Sequence, residues 1–155
     1  MGIETIITAM EEVLDDNGFK KRVFVFDFNK LNDPTISSMI MLQLGRMGED
    51  VVDTFGATFA RPWVVMANFY QALGHQTGEE AHGQLMVDLD KFIDALELKF
   101  HLGKGKASNI RKVQVLNFTT PTVIAVGTEE EVINWLRSTS SVLVEETSTP
   151  GAEAE

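Results

Sequence analysis

Hydrophobic positions recur along this chain with two different periods, and the changeovers divide it into elements. Ile3, Ile6, Ile7, Met10, Val13 and Leu14 fall on one helical stripe, with Glu4, Glu11, Glu12 and Asp15 opposite. That spacing predicts an amphipathic helix over residues 3–16, which Asn17-Gly18 ends with residues that tolerate left-handed backbone. From Lys21 to Phe28 the period drops to two. Phe24, Phe26 and Phe28 alternate with Val23 and Val25, which predicts a strand covered on both faces. Asn29 to Pro34 carries turn chemistry, with Asn32-Asp33 held extended before the proline. Ser38 to Leu44 is short, apolar and rich in methionine, and it admits two readings. One is a strand running into a loop at Gly45 and Gly48; the other is a helix over Ile36 to Phe55. Phe59 to Gln71 alternates Trp63, Val65 and Phe69 against Val64, Met66 and Tyr70, a strand with Pro62 near its start.

Beyond this the period lengthens again. Thr77-Gly78-Glu79-Glu80 has the form of a capping box. Leu85, Leu89, Phe92, Ile93, Leu96 and Phe100 follow on one stripe, with Asp90, Asp94 and Glu97 displaced from it. A helix from Gly78 to Leu102 is expected, stopped by Gly103. Residues 110–118, 121–126 and 132–146 then read as strands, the last interrupted at Ser138 to Ser141. Long alternating strands broken by a single interior helix imply α+β architecture: a mainly antiparallel β-sheet with an N-terminal helix and one long central amphipathic helix packed on it. Residues 1–146 form one domain in this reading, and 147–155 a disordered acidic tail.

Charge adds polarity to that picture. The chain has 155 residues, with 13 bases against 23 acids and a net charge of −10, a balance that disfavours general binding to nucleic acids or anionic membranes. Five acids precede Asn17, and seven lie between Glu129 and Glu155 against the single Arg137. Bases gather at Lys20, Lys21 and Arg22, and again from Lys99 to Lys112, a stretch without one acid. Such polarity suits contacts in which one patch meets a different patch on the next copy. No apolar run reaches the roughly 18 residues needed to cross a bilayer, and the acidic N-terminus has the wrong charge for a signal or transit peptide. With no cysteine, disulfides, thiolate metal sites and cysteine nucleophiles are excluded.

The search for chemistry returns little. Glu79 and His82 match one half of a carboxylate-bridged di-iron motif, which needs a second E-x-x-H and two further glutamates on facing helices. Gly103-Lys104-Gly105-Lys106 resembles a phosphate loop, but it follows a helix instead of opening one, and Ala107 stands at the hydroxyl position. Glu129, Glu130 and Glu131 read as a solvated turn, and no nucleophile elbow is present. We therefore expect neither an enzyme nor a cofactor. Met39, Met41 and Met47 are close enough in sequence to form an adaptable partner surface, with core filling as the default.

Element order carries one resemblance. An opening helix, a strand, the Asp33-Pro34 turn into a second apolar strand, a long strand from Arg61-Pro62-Trp63, the helix after Thr77 and a closing set of strands with Trp135 near the start of the last resemble the tail terminator, or tail completion, proteins of long-tailed bacteriophages. The resemblance runs from Ile3 to Glu146. It implies a virion protein of the tail and neck, assembled in the host cytoplasm. Such a protein forms a ring, usually a hexamer, that caps the tail tube, ends its polymerisation and meets the head connector. The implied partners are further copies of the chain, the tube protein, the head-completion protein and double-stranded DNA passing through an acidic lumen, with no membrane. On this basis Arg46, Glu49, Asp50, Lys104, Lys106 and Arg111 are the expected subunit or partner contacts. Another neck or tail adaptor, or a small α+β ligand-binding module or enzyme, is the alternative.

Overall fold

The computed structural model describes residues 3–47, 51–52, 59–74, 78–100, 110–128 and 130–148. Helix α1 spans Ile3–Asp16, as its stripe predicts. The strands are β1 (Val23–Val25), β2 (Ser38–Met47), β3 (Val51–Val52), β4 (Phe59–Ala72), β5 (Ile110–Phe118), β6 (Thr122–Gly127) and β7 (Val132–Ser148). A short 3₁₀ helix, Phe28–Asn32, follows β1, and helix α2 (Gly78–Ile93) continues into a π turn, Asp94–Phe100. The result is α+β, with a mainly antiparallel sheet.

The sheet order is β1-β2-β4-β7-β5, with β3 also on β4 and β6 also on β7. Register shows what this means. Met47 pairs with Trp63 and Val51 with Ala60, so β3 continues β2 along one edge of β4. Ile110 pairs with Glu146, Phe118 with Ser140, Thr122 with Arg137 and Gly127 with Val132, so β5 and β6 share one edge of β7. The turn between them stays bonded to β7: Thr119 donates its N–H to Thr139 O at 3.0 Å and accepts the Thr139 N–H on Oγ1 at 2.9 Å. Five lanes therefore run from the β6–β7 hairpin at one end, the hairpin end, to the Ile110–Glu146 pair at the other, the far end.

The two helices cover one face. Ile6, Met10 and Leu14 of α1 and Leu85, Leu89 and Phe92 of α2 bury against Ile40, Leu42, Val65, Ala67, Phe69, Val142 and Val144. The Phe69 ring sits at the centre, edge-on to Phe92 at 4.9 Å and to Phe118 at 5.5 Å. On the opposite face a smaller cluster of Leu31, Met39, Met41, Tyr70 and Trp135 lies under the 3₁₀ helix. Met39 and Met41 thus fill core, and Met47 lies in β2 at the far end.

Several expectations change. Residues 38–47 form a strand, so the helical reading of 36–55 is overturned: Ile40 and Leu42 face one core and Met39 and Met41 the other, the two-sided burial of a near-central strand. The strand expected over 21–28 shortens to Val23–Val25, because Asp27 accepts the Asn29 N–H at 3.0 Å and caps the 3₁₀ helix instead. Its faces are not both covered, for Val25 and Phe26 are exposed. Strand β7 runs unbroken through Ser138 to Ser141. Ser138 lies opposite Phe69, and Ser140 opposite Ala67 and Phe118, so small side chains leave room for the aromatic rings above them while the ladder continues on both sides. The long helix widens into the π turn at Asp94, keeping Ala95 and Leu96 buried while Glu97 reaches β5. The Thr77 cap and the helix end at Leu102 lie outside the described residues.

Candidate assembly surfaces

Polar groups inside the fold are spent on holding elements together. Arg22, grouped by sequence with Lys20 and Lys21, pairs with buried Asp88 of α2 at 3.3 Å and donates to the Ser38 hydroxyl and to Gly18 O. Its guanidinium lies over the Phe19 ring at 5.1 Å, and Gln84 donates to the other Asp88 oxygen at 3.3 Å. One cation thus ties the α1–β1 turn to β2 and α2. On the opposite face Arg137 and Thr139 both donate to Asn68 Oδ1, and Asn68 donates to Met41 O. Tyr70 lies beneath Arg137; burial pushes its hydroxyl pKa up, partly offset by that charge. Glu79 and His82 are exposed on the first turns of α2, and no group of three metal-ligating side chains is found among the described residues.

What remains open is the rim of the sheet, and its two sides differ. On one side β1 pairs only with Ile40 to Leu42, and Phe26 donates to Leu42 O. No described strand pairs with the outer edge of β2 from Gln43 to Met47. Val25 (53% exposed), Phe26 and Leu44 (48%) stand along this rim. On the other side Glu97 accepts the Val115 N–H at 3.1 Å and takes up a donor that a further strand could use on β5. No described strand or side chain closes β6 in that way, and its Val123 is 60% exposed. The rims also run in opposite senses. β2 is antiparallel to β4, β4 to β7 and β7 to β6, so β2 and β6 point opposite ways.

Two shallow hollows mark the faces. One, about 410 Å³, lies on the helix-free face at the far end, lined by Gln43, Gly45, Val64, Met66, Leu116 and Ser141 among others. Gly45 is the extra residue of a bulge between Leu44 and Arg46, where a Cβ would meet Met66 Cγ at 2.9 Å and Val64 O at 3.0 Å. The other, about 730 Å³, lies between the Pro34 turn and the β6–β7 hairpin.

Of the six residues expected at contacts, Arg46 lies opposite Val64, one residue past that bulge. Arg111 lies at the irregularity of β5 between Ile110 and Lys112, opposite Glu145 and Glu146. Both are therefore at the far end, on the two lanes flanking β4 and β7. Glu49, Asp50, Lys104 and Lys106 lie outside the described residues. Val25, Phe26, Leu44 and Val123 did not stand out in the sequence; the one signal was that 122–126 is apolar on both alternations, which an edge strand does not need.

No protein-family model matches the chain. No curated protein matches it either. Among solved structures it is similar to the sheath/tube terminator, in the extended state, of an extracellular contractile injection system (PVC), with 11% identity and a TM-score of 0.47. That match covers 97% of this chain, which spans 59% of the length of the other.

Proposed function

We propose that this chain is a virion structural protein whose copies join rim to rim in a closed ring, a hexamer if the tail-terminator resemblance holds. The ring caps a tail tube, stops its growth and joins it to the head connector. The observation that supports the reading is the pair of open, apolar and oppositely directed rims. When every copy points the same way around an axis, the β6 rim of one faces the β2 rim of the next in antiparallel sense, the sense with the simpler ladder. Because the two rims are different surfaces, the contact is heterologous and closes only as a ring. The edge that is not needed, β5, is the one sealed by Glu97.

Strand addition at such rims takes its strength from backbone hydrogen bonds and its selectivity from alternate side chains. Val123 is level with Ser38 through Leu136 and Gln71, so neighbouring copies would be staggered by about 20 Å along the strands for it to meet Leu44. Arg46 and Arg111 lie on the lanes at the far end, and with Glu49, Asp50, Lys104 and Lys106 they would serve contacts with the tube or the next subunit. A lumen lined by acids lets duplex DNA pass without being held, because neutralising phosphates is what binds it. Terminating a sheath and a tube is the role of the contractile-system protein; for this chain the role is part of the proposal, and no catalytic step is assigned.

Light scattering behind size exclusion, with negative-stain microscopy, tests it. The expected result is a closed ring for the unaltered chain and a well-folded monomer for Val123→Lys and for Leu44→Lys. A monomeric unaltered chain, alone and with tube protein, would end the proposal.

A further inference from the structure

Lys20 and Lys21 stand on the β1–β2 rim of the sheet, and both are exposed. Val23 pairs with Ile40, and Arg22 O accepts the Ile40 N–H. Lys21, one residue earlier, is therefore level with Ser38. The turn that carries these bases is firmly held. Phe19 donates its N–H to Leu14 O at 3.1 Å, Asp15 accepts the Lys21 N–H at 2.7 Å, and Arg22 is fastened to Asp88. Lys30 adds a third base: its Nζ lies 4.9 Å from the centre of the Phe24 ring, and Phe24 pairs with Met41. Asp33, in the following turn, spends its carboxylate on the Thr35 N–H and hydroxyl.

The opposite rim ends in acids. Gly127 pairs with Val132, and Thr128 donates its N–H to Glu131 O at 2.9 Å. Gly127 has a φ of +132° that admits no other residue without strain, so the hairpin has one shape. Glu130 and Glu131 are exposed on it, and they are the charged residues that line the 730 Å³ hollow.

Apolar and charged residues on the two rims agree on one register. Val123, level with Ser38, comes level with the neighbour's Leu44 after a shift of six residues, about 20 Å. Glu131 lies five residues past Leu136, the partner of Val123, toward the hairpin end. The same shift therefore sets it level with the neighbour's Met39, which is beside Arg22, one residue from Lys21 and two from the Phe24 that carries Lys30. With no shift Glu131 overshoots Lys21 by five residues, about 17 Å.

We infer, on the rim-to-rim reading above, that Lys20, Lys21 and Lys30 of one copy meet Glu130 and Glu131 of a second copy, and that this contact fixes the stagger between subunits. Exposed ion pairs add little affinity, but they choose among registers that backbone pairing leaves open. The stagger is compatible with closure. Five lanes about 4.8 Å apart make a copy about 24 Å wide, so a shift of about 20 Å tilts the strands about 40° from the ring axis, whatever the number of copies. Closed sheets tilt by that much.

Cross-linking reads the register, because the chain has no cysteine of its own. The two rims of one copy are four lanes or about 19 Å apart, so a short bis-maleimide joins only different copies. Lys21→Cys with Glu131→Cys should give a ladder of linked subunits, and Lys21→Cys with Val123→Cys, the pair for unshifted copies, should not. In sedimentation velocity at low salt, Glu130→Lys with Glu131→Lys, or Lys20→Glu with Lys21→Glu, should each weaken assembly at least tenfold. The four changes together should restore it. The inference is overturned if rings form and the unshifted pair links instead, if neither pair links, or if the reversals leave assembly unchanged. It is equally overturned if the four-fold variant fails to recover while each variant melts like the unaltered chain. Absence of rings for the unaltered chain removes the rim reading itself, and this inference with it; intact rings with the wrong cross-link remove the inference alone.

Discussion

The two faces of the sheet are built in different ways. The helix face is continuous: two amphipathic helices lay Ile6, Met10, Leu14, Leu85, Leu89 and Phe92 on strands whose inward positions are Val, Ala, Phe and Leu. Burial there is spread over many side chains, each contributing about 1.5–3 kcal/mol. The other face is covered only at the hairpin end, where a five-residue 3₁₀ helix is fastened by one indole hydrogen bond over Met39, Met41, Tyr70 and Trp135. Past the Asn68 seam that face is shallow and open. One face is thus organised for stability, and the other leaves surface for contact.

Substitutions can break or sharpen this contrast. The largest effect is expected for Phe92→Ala, which empties the space beside Phe69 on the helix face and should cost about 3–5 kcal/mol, seen as a drop in denaturant midpoint with little change in slope. Trp135→Phe removes the bond to Leu31 O and should cost about 1–3 kcal/mol. Hydrogen exchange should quicken across residues 28–36 and not in α1; uniform quickening would mean that the two faces do not behave separately. Gly45→Ala probes the open half. Met66 can give way but the Val64 carbonyl cannot, so a loss of about 1–2 kcal/mol is expected by thermal denaturation.

The smallest effect falls on the solvent side of α1. Burial, then Asp15 and Glu12, push the Glu11 carboxyl pKa up. Its charged form is disfavoured in the fold, so stability falls as pH rises from the ordinary carboxylate value through the raised one. Glu11→Gln should therefore stabilise the protein at pH 7 by under about 0.5 kcal/mol, as for other like-charge helical pairs. The gain should vanish below about pH 4, where the carboxyl is protonated in both states. A gain that persists there would assign the effect to packing.

The contrast also explains what was legible beforehand. Helix α1, β4 and most of α2 follow from periodicity, because each buries one consistent set of positions. The segment 38–47 was ambiguous because its first half, Ser38 to Leu42, is buried on both faces, which erases the alternation that marks a strand. The serines at 138–141 suggested a break because their fitness depends on Phe69 and Phe118, residues distant in sequence. Arg22 looked like surface charge until Asp88, 66 residues away, was brought beside it. The candidate rims were least visible: an exposed valine in β6 looks like a buried one until the strand's neighbours are known.

Sequence alone determined most of the element types, the α+β class, the polarity of charge and the absence of cysteine chemistry, since each depends on local period or on composition. Tertiary structure decided which strands lie at the rim, which rim Glu97 seals, and that the β6–β7 hairpin and the Ile110–Lys112 start of β5 stand at opposite ends. Those are relations between residues far apart in the chain, and strand pairing establishes them only when the whole sheet forms.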